Sequence, residues 1–169
     1  MKKYLVIGNP IEHSLSPKLH NYWLNENKVV GKYDKKLLTE EEVGEFLKSN
    51  QTVSGINVTI PFKKTVINYC SELTELASAS QSVNTITLSN GKIIGDNTDV
   101  YGFEQSLRDL NFNGFNKTAY IIGAGGVVSS VVIALNKLGL KNIVISNRTK
   151  NKAEVLAKEY NLVVLDWGK

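Results

Sequence analysis

Over the first hundred residues, short apolar runs alternate with stretches of helical spacing. Tyr4 to Gly8 is dense enough in apolar residues for a buried strand. Ser16-Pro17 predicts a helix start, with the serine as N-cap and the proline at the first helical position. Leu19, Tyr22 and Trp23 continue it as an amphipathic helix. Tyr33 to Leu38 fits a second strand. Thr39-Glu40-Glu41-Glu42 forms a capping box ahead of Val43, Phe46 and Leu47 on one helix face. Gly55 to Ile60 predicts a third strand halted by Pro61, then two short helices over Phe62 to Cys70 and Thr74 to Ser80. Thr85 to Leu88 and Lys92 to Ile94 flank Ser89-Asn90-Gly91, whose Asn-Gly signals a hairpin. Val100, Phe103, Leu107 and Leu110 predict one long helix.

The pattern changes after Asn111-Phe112-Asn113-Gly114, a polar break containing a glycine. Beyond it come a strand at Thr118 to Ile122, a helix at Ala124 to Leu138, a strand at Asn142 to Ser146, a helix at Thr149 to Tyr160 and a strand at Leu162 to Leu165. This β-α-β-α-β order is the half-unit of a doubly wound parallel sheet. The expected class is α/β, with an N-terminal α/β substrate domain built on a mainly parallel sheet and then a partial Rossmann dinucleotide-binding domain. The expected spans are 1–99 for the first, 100–114 for a connecting helix and linker, and 115–169 for the second. A dinucleotide fold has two such halves, so the chain is expected to stop partway through its second domain. That would leave the last strand as an apolar edge liable to pair with another chain, and a homodimer is the assembly this allows.

Composition narrows the classes. At 169 residues, 42% hydrophobic and 21% charged, the chain is ordinary globular material, which excludes disorder, collagen and coiled coil. The single cysteine, Cys70, excludes an internal disulfide and a multi-cysteine zinc site, and no metal is expected. Twenty basic against sixteen acidic residues give +4, spread along the chain. A nucleic-acid binder would cluster that excess; here it suits attraction of anionic small molecules. The run Leu5-Val6-Ile7 is too short for a signal core, and no apolar stretch nears the roughly 18 residues of a membrane helix. The expectation is a soluble, cytoplasmic protein with no membrane or nucleic-acid partner.

Gly123-Ala124-Gly125-Gly126-Val127 falls between a predicted strand and a predicted helix. Gly123 can make the tight turn, Gly125 lets the backbone approach a pyrophosphate, and the helix N-terminus offers free N–H groups to the anion. Val128 stands where such a fingerprint usually has a third Gly or Ala. The second strand selects the dinucleotide. An NAD site carries Asp or Glu at that strand's end for the ribose 2′-OH, whereas this chain has Ser146-Asn147-Arg148-Thr149, with Lys150 and Lys152 beyond. Arginine pairs with a 2′-phosphate in bidentate fashion, so NADP is favoured. The plainer alternative is a basic helix start with Thr149 as N-cap.

Four strings are more polar than their setting: Ser14-Leu15-Ser16-Pro17, Asn57-Val58-Thr59-Ile60-Pro61-Phe62-Lys63, Ser82-Val83-Asn84-Thr85 and Asp96-Asn97-Thr98-Asp99. Several fall at strand ends or helix starts, where open α/β sheets form their ligand crevice. Their hydroxyls and amides suit a polyhydroxylated substrate. A lysine and an aspartate sheltered from water can trade a proton with a reacting hydroxyl. Each string also has a plainer reading: Ser16 and Thr98 as caps, Asn84 as a turn residue, Lys63 as a solvated charge.

Together, SLSP, NVTIPFK, VNT, GDNTD, GAGG and NRTKNKA, in that order, resemble the shikimate dehydrogenase family along the length of the chain. The resemblance implies reduction of 3-dehydroshikimate to shikimate with NADPH, on the route to chorismate and the aromatic amino acids. It implies that Lys63 is the catalytic lysine and Asp99 its partner and a substrate ligand, with Ser14, Ser16, Thr59 and Asn84 as further substrate contacts. It places Gly123, Ala124, Gly125, Gly126 and Val127 on the pyrophosphate, and Asn147, Arg148, Thr149 and Lys152 on the adenosine phosphate, with Glu75 near the cofactor. Gln81-Ser82, Val100 and Val127 depart from the small residues usual in the family, which touches packing and no reacting group. Family members run longer, adding the other half of the dinucleotide sheet, nicotinamide contacts and a helix carrying a substrate-binding glutamine. Rival expectations are an NAD-using quinate/shikimate dehydrogenase, a shikimate-binding chain without turnover, and a nucleotide-binding regulatory module.

Overall fold

The computed structural model describes residues 1–50 and 52–168. It divides into two compact units, Met1–Asn97 and Thr98–Lys169.

The first unit is built on a six-stranded sheet. Its strands are β1 (Lys2–Gly8), β2 (Gly31–Leu37), β3 (Gly55–Val58), β4 (Glu72–Leu73), β5 (Thr85–Ser89) and β6 (Lys92–Asp96), ordered β2-β1-β3-β5-β6-β4. The pairs β1–β2, β1–β3 and β4–β6 are parallel, while β3–β5 and β5–β6 are antiparallel. The sheet is thus mixed, because the Asn90-Gly91 hairpin forms and reverses the chain between β5 and β6.

Alternation along β1 sends Leu5 and Ile7 to one face and Tyr4 and Val6 to the other. The first face packs under α2 (Glu40–Ser49) in a core that includes Val43, Leu47, Ile56, Val58, Phe62 and Val66. The second face carries Val6, Ile11 and Tyr33, with Leu24 of α1 (Ser16–Glu26) against them. The capping box of α2 forms, with the Thr39 N–H donating to Glu42 Oε2 at 2.7 Å. At α1 the expected serine cap does not. Leu15 takes the cap position in a right-handed helical backbone, and Ser16 is already the first helical residue.

The expected helix over Phe62 to Cys70 is a 3₁₀ segment, Thr65–Tyr69. The Lys63 carbonyl accepts from the Val83 N–H (2.8 Å), so it is spent on the distant segment before β5 rather than on an α-turn. The Ile67 N–H bonds Lys64 instead, three residues back. The two-residue strand β4 follows, then α3 (Glu75–Ser80), capped by the Thr74 hydroxyl accepting from the Ala77 N–H.

The second unit opens with α4 (Asp99–Asp109) and holds a parallel three-stranded sheet, β7 (Thr118–Ile122), β8 (Asn142–Ser146) and β9 (Val163–Leu165), in that order. Helices α5 (Val128–Lys137) and α6 (Lys150–Tyr160) connect the strands. One sheet face contributes Ala119, Ile121, Ile143, Ile145 and Val164 to a core with Val132, Leu135 and Leu156. The opposite face leaves Tyr120, Ile122, Val163 and Leu165 exposed. No helix among the described residues is long and apolar enough to cross a membrane.

Candidate active site

The sheet register gathers the polar strings of the first unit. β1 and β3 run parallel, and Thr85 at the start of β5 pairs with Asp96 at the end of β6. The segments after β1 and β3, the segment before β5 and the end of β6 therefore share one end of the sheet. The backbone ties them there. The Thr59 N–H donates to Ile7 (3.0 Å), Asn9 to Ile60 (3.0 Å), Val58 to Asn84 (2.8 Å) and Asn84 to Asp96 (3.0 Å).

Gly8 permits this closure. A Cβ built on it would lie 2.6 Å from Thr59 Cγ2 and 2.9 Å from Ile11 Cδ1, closer than Cβ contacts stand, and 3.1 Å from the Ile60 carbonyl, a tight contact. The strand end at Gly8 and the NVTIP segment can touch only without a side chain.

A recess of about 270 Å³ opens at this end, lined by Val6, Pro10, Ile11, His13, Ser14, Ser16, Thr59 and Ile60. Three expected substrate contacts, Ser14, Ser16 and Thr59, thus surround one cavity. The Ser14 hydroxyl accepts from the Ser16 N–H at 3.3 Å, which sets the entry to α1. Lys63 does not line the recess; it is half-buried just beyond Phe62, its carbonyl anchored to Val83. Asn84 is half-buried at the start of β5, its Oδ1 accepting from the Thr85 hydroxyl at 3.0 Å.

The string Asp96 to Asp99 divides by role. The Asp96 carboxylate accepts from the Thr74 hydroxyl (2.6 Å) and the Asn97 N–H (2.7 Å). Asn97 is 1% exposed and donates to the Ser80 hydroxyl and the Ser82 carbonyl, both at 2.9 Å. These two residues hold β6, α3 and the VNT segment together. Asp99 is half-buried in the first turn of α4, and Thr98 makes no side-chain cap there. Glu75 is exposed in the first turn of α3.

In the second unit the glycine turn hangs from the end of β8. The Gly123 N–H donates to the Ser146 carbonyl (2.8 Å), and the Ala124 N–H to Asn147 Oδ1 (3.1 Å). The Asn147 amide in turn donates to the Thr149 carbonyl (2.8 Å). Asn147, expected as a cofactor contact, is therefore the bracket that shapes the turn. α5 starts at Val128 rather than at the expected Ala124, the residues between forming a turn. Gly123 has φ +114°, a conformation that strains any other residue. Gly125 and Gly126 are exposed, and a Cβ on either would meet no protein atom within 4 Å. No described residue fills that side, so a ligand can reach the backbone at the N-terminal end of α5. Val127 is exposed beside them, as are Arg148, Thr149 and Lys152 past β8, while Lys150 is paired with Asp166 at 2.8 Å. Thr149 stands at the cap position of α6 without a side-chain cap bond.

Sequence reasoning missed Tyr33. It is the one buried residue of β2, and its hydroxyl donates to Asn57 Oδ1 at 2.6 Å. Burial pushes this phenol well above the ordinary tyrosine range, while a hydrogen bond from Ser16 pulls it slightly back. The signal was a tyrosine amid Lys32, Asp34, Lys35 and Lys36, a lone aromatic in a charged strand.

A family profile described as "Shikimate dehydrogenase substrate binding domain" matches residues 6–86, and one described as "Shikimate / quinate 5-dehydrogenase" matches residues 106–166. A relative from Pelagibacter ubique (strain HTCC1062), named "Shikimate dehydrogenase (NADP(+))", is 49% identical over 99% of this chain and 64% of its own length. A relative of the same name from Maridesulfovibrio salexigens is 40% identical over 98% of this chain and 61% of its own. Among solved structures, shikimate dehydrogenase from Aquifex aeolicus matches with a TM-score of 0.92 and 36% identity, over 98% of this chain and 62% of that one. The Thermus thermophilus enzyme, solved with NADP(H) and shikimate, matches with a TM-score of 0.89 and 30% identity, over 98% and 63%. The chain thus spans roughly three fifths of the length of these relatives. With its two halves matched in order by the two parts of one enzyme, and nearly all of it aligning with solved members, this chain belongs to the shikimate dehydrogenase family.

Proposed function

We propose that this chain serves the reversible, NADP-dependent reduction of 3-dehydroshikimate to shikimate, a step toward chorismate and the aromatic amino acids. The observation that carries this reading is the gathering of Ser14, Ser16 and Thr59 around one recess at the strand ends, with Lys63 and Asn84 on adjoining segments. Relatives named for NADP(+), and a solved one holding NADP(H) and shikimate, support it.

Three hydroxyls at the mouth of a recess suit a ring bearing several hydroxyls, since each can donate and accept. Asn84 adds an amide of the same versatility, and Asp99 supplies an acceptor carboxylate for a substrate hydroxyl. Lys63 handles the proton of the reacting oxygen. Its ammonium stabilises the alkoxide that develops as the carbonyl is reduced and then protonates it, and in the reverse direction it receives that proton. Proton transfer of this kind is worth about 10²–10⁴-fold.

The second unit fits a dinucleotide. Gly123, Ala124, Gly125, Gly126 and Val127 would receive the pyrophosphate, and Arg148, Thr149 and Lys152 the adenosine phosphate. The absence of any carboxylate at Ser146 to Thr149 favours the 2′-phosphate form over NAD. When bound, NADPH supplies the hydride and the chain supplies orientation and the proton.

The test is reduction of NADP or NAD by the purified chain with shikimate, followed by the absorbance of the reduced nicotinamide. Faster reduction with NADP is expected. Lys63→Ala is expected to lower turnover at least ~100-fold with a much smaller loss of shikimate affinity. Shikimate raising the melting temperature without any reduction would assign binding alone. Neither reduction nor a thermal shift would overturn the reading.

A further inference from the structure

We propose that Tyr33 is a positioning residue for the substrate site, linked through Asn57 and Thr85 to Asn84 in one directional hydrogen-bond relay; this rests on the functional reading above. The relay follows from donor arithmetic. A phenol has one proton, and Tyr33 gives it to Asn57 Oδ1 at 2.6 Å.

On the other side, Asn57 has its carbonyl end held by Tyr33, so its NH2 faces Thr85 Oγ1 (3.3 Å) and the Asn84 carbonyl (3.4 Å). Thr85 receives that hydrogen and passes its own proton to Asn84 Oδ1 at 3.0 Å. The Asn84 amide oxygen thus stands at the end of a run of hydrogen bonds that begins at Tyr33 and passes through two intermediaries.

Tyr33 is itself held rigidly. Its N–H donates to Asn21 Oδ1 (2.9 Å), and its carbonyl accepts from Asn21 Nδ2 (2.7 Å). Its ring stacks on His20, with centroids 4.2 Å apart and planes within 6°. The residue is 3% exposed, so it acts through its neighbours and not by touching a ligand at the surface. Phenylalanine would keep the stacking and the volume and delete only the relay.

The experiment uses side-chain amide NMR spectra of the 169-residue chain and of Tyr33→Phe, together with shikimate titrations of both. Without ligand, Tyr33→Phe is expected to move the Asn57 and Asn84 side-chain amide signals. With shikimate, it is expected to weaken binding about fivefold. Because the two residues act through one network, adding Asn84→Ala to it should cost less than the product of the two single losses. An unmoved Asn84 signal, or losses that simply multiply, would overturn the relay. Asn57→Ser cuts the relay at its middle and is expected to move the Asn84 signal as well, which keeps the test standing should Tyr33→Phe not fold. If the unmodified chain does not bind shikimate, the functional reading falls, and the unliganded Asn84 signal still decides the relay.

Discussion

The two units solve the same problem to different degrees. The first covers one face of its sheet with α2 and the 3₁₀ segment over Ile7, Ile56 and Val58, and part of the other with α1 against Val6 and Tyr33. The second covers one face with α5 and α6 and leaves Tyr120, Ile122, Val163 and Leu165 in the open. Each presents its candidate ligand residues at strand ends, as open α/β sheets do. The first backs its polar residues with side-chain bonds in depth, from Tyr33 through Asn57 to Asn84 and from Thr74 through Asp96. The second hangs its glycine turn from one asparagine and the end of β8. The candidate site of the first unit is braced by side-chain bonds, whereas the glycine turn of the second is shaped mainly by backbone.

Four tests sharpen or break that contrast. The largest effect is expected in the cores. Phe62→Ala should cost the first unit about 3–5 kcal/mol and Ile145→Ala the second about 2–5 kcal/mol, read by denaturant unfolding with probes in each unit. Serine at the exposed Ile122 should change stability by no more than about 0.5 kcal/mol; a loss as large as that of Ile145→Ala would show that this face is covered in solution.

Next comes the glycine turn. Gly123→Ala meets φ +114° and should destabilise the second unit by about 1–3 kcal/mol. Gly125→Ala meets no protein atom and should leave stability unchanged while weakening dinucleotide binding by calorimetry. Equal stability losses at the two positions would refute a ligand-facing role for Gly125.

Third, Arg148→Ala should narrow the preference for NADP over NAD by about tenfold, the worth of a charge-assisted pair, with little change in melting temperature because the side chain is exposed.

The smallest effect concerns Glu104. Lys137, then Arg108, each with a nitrogen 2.7 Å from its carboxylate, hold it below the usual carboxylate range. A depressed pKa stabilises the fold above the unfolded value and loses that contribution as pH falls through the folded one. Acid titration of the second unit should therefore show a loss of stability below the ordinary glutamate pKa of about 4.3 that Glu104→Gln abolishes. An unchanged acid profile in Glu104→Gln would remove this carboxylate from the account.

Much of this was written in period and punctuation. The capping box at Thr39, the Asn-Gly hairpin and the β-α-β-α-β order of the second unit are local signals, and they form as expected. What failed was decided by distant partners. The Lys63 carbonyl goes to Val83, so a helix becomes a 3₁₀ segment. Around Ala124, whose N–H goes to Asn147, a turn stands where helix was expected, and α5 starts at Val128. Strand β4 has two residues, too few to show alternation, and exists because β6 lies beside it. In the site, motif strings named Ser14, Ser16 and Thr59 but not His13, which also lines the recess. They could not separate ligand-facing groups from braces such as Asn97 and Asn147, because both need the same amide. Tyr33 belongs to no string, and only the folding of β2 beside β1 brings it to Asn57.

The hairpin between β5 and β6 has a practical use. Thr85 and Asp96 pair at the end of the sheet that holds the polar strings, while Ser89 and Lys92 pair at the other, four residues along the strand and about 13 Å away at 3.3 Å per residue. Gly91 at the turn has open space around it. A fluorophore attached through a cysteine at Asn90, or an affinity peptide spliced between Asn90 and Gly91, would sit on the far side of the sheet from the recess. The turn is a handle by which the molecule can be immobilised or watched while its binding face stays in free solution.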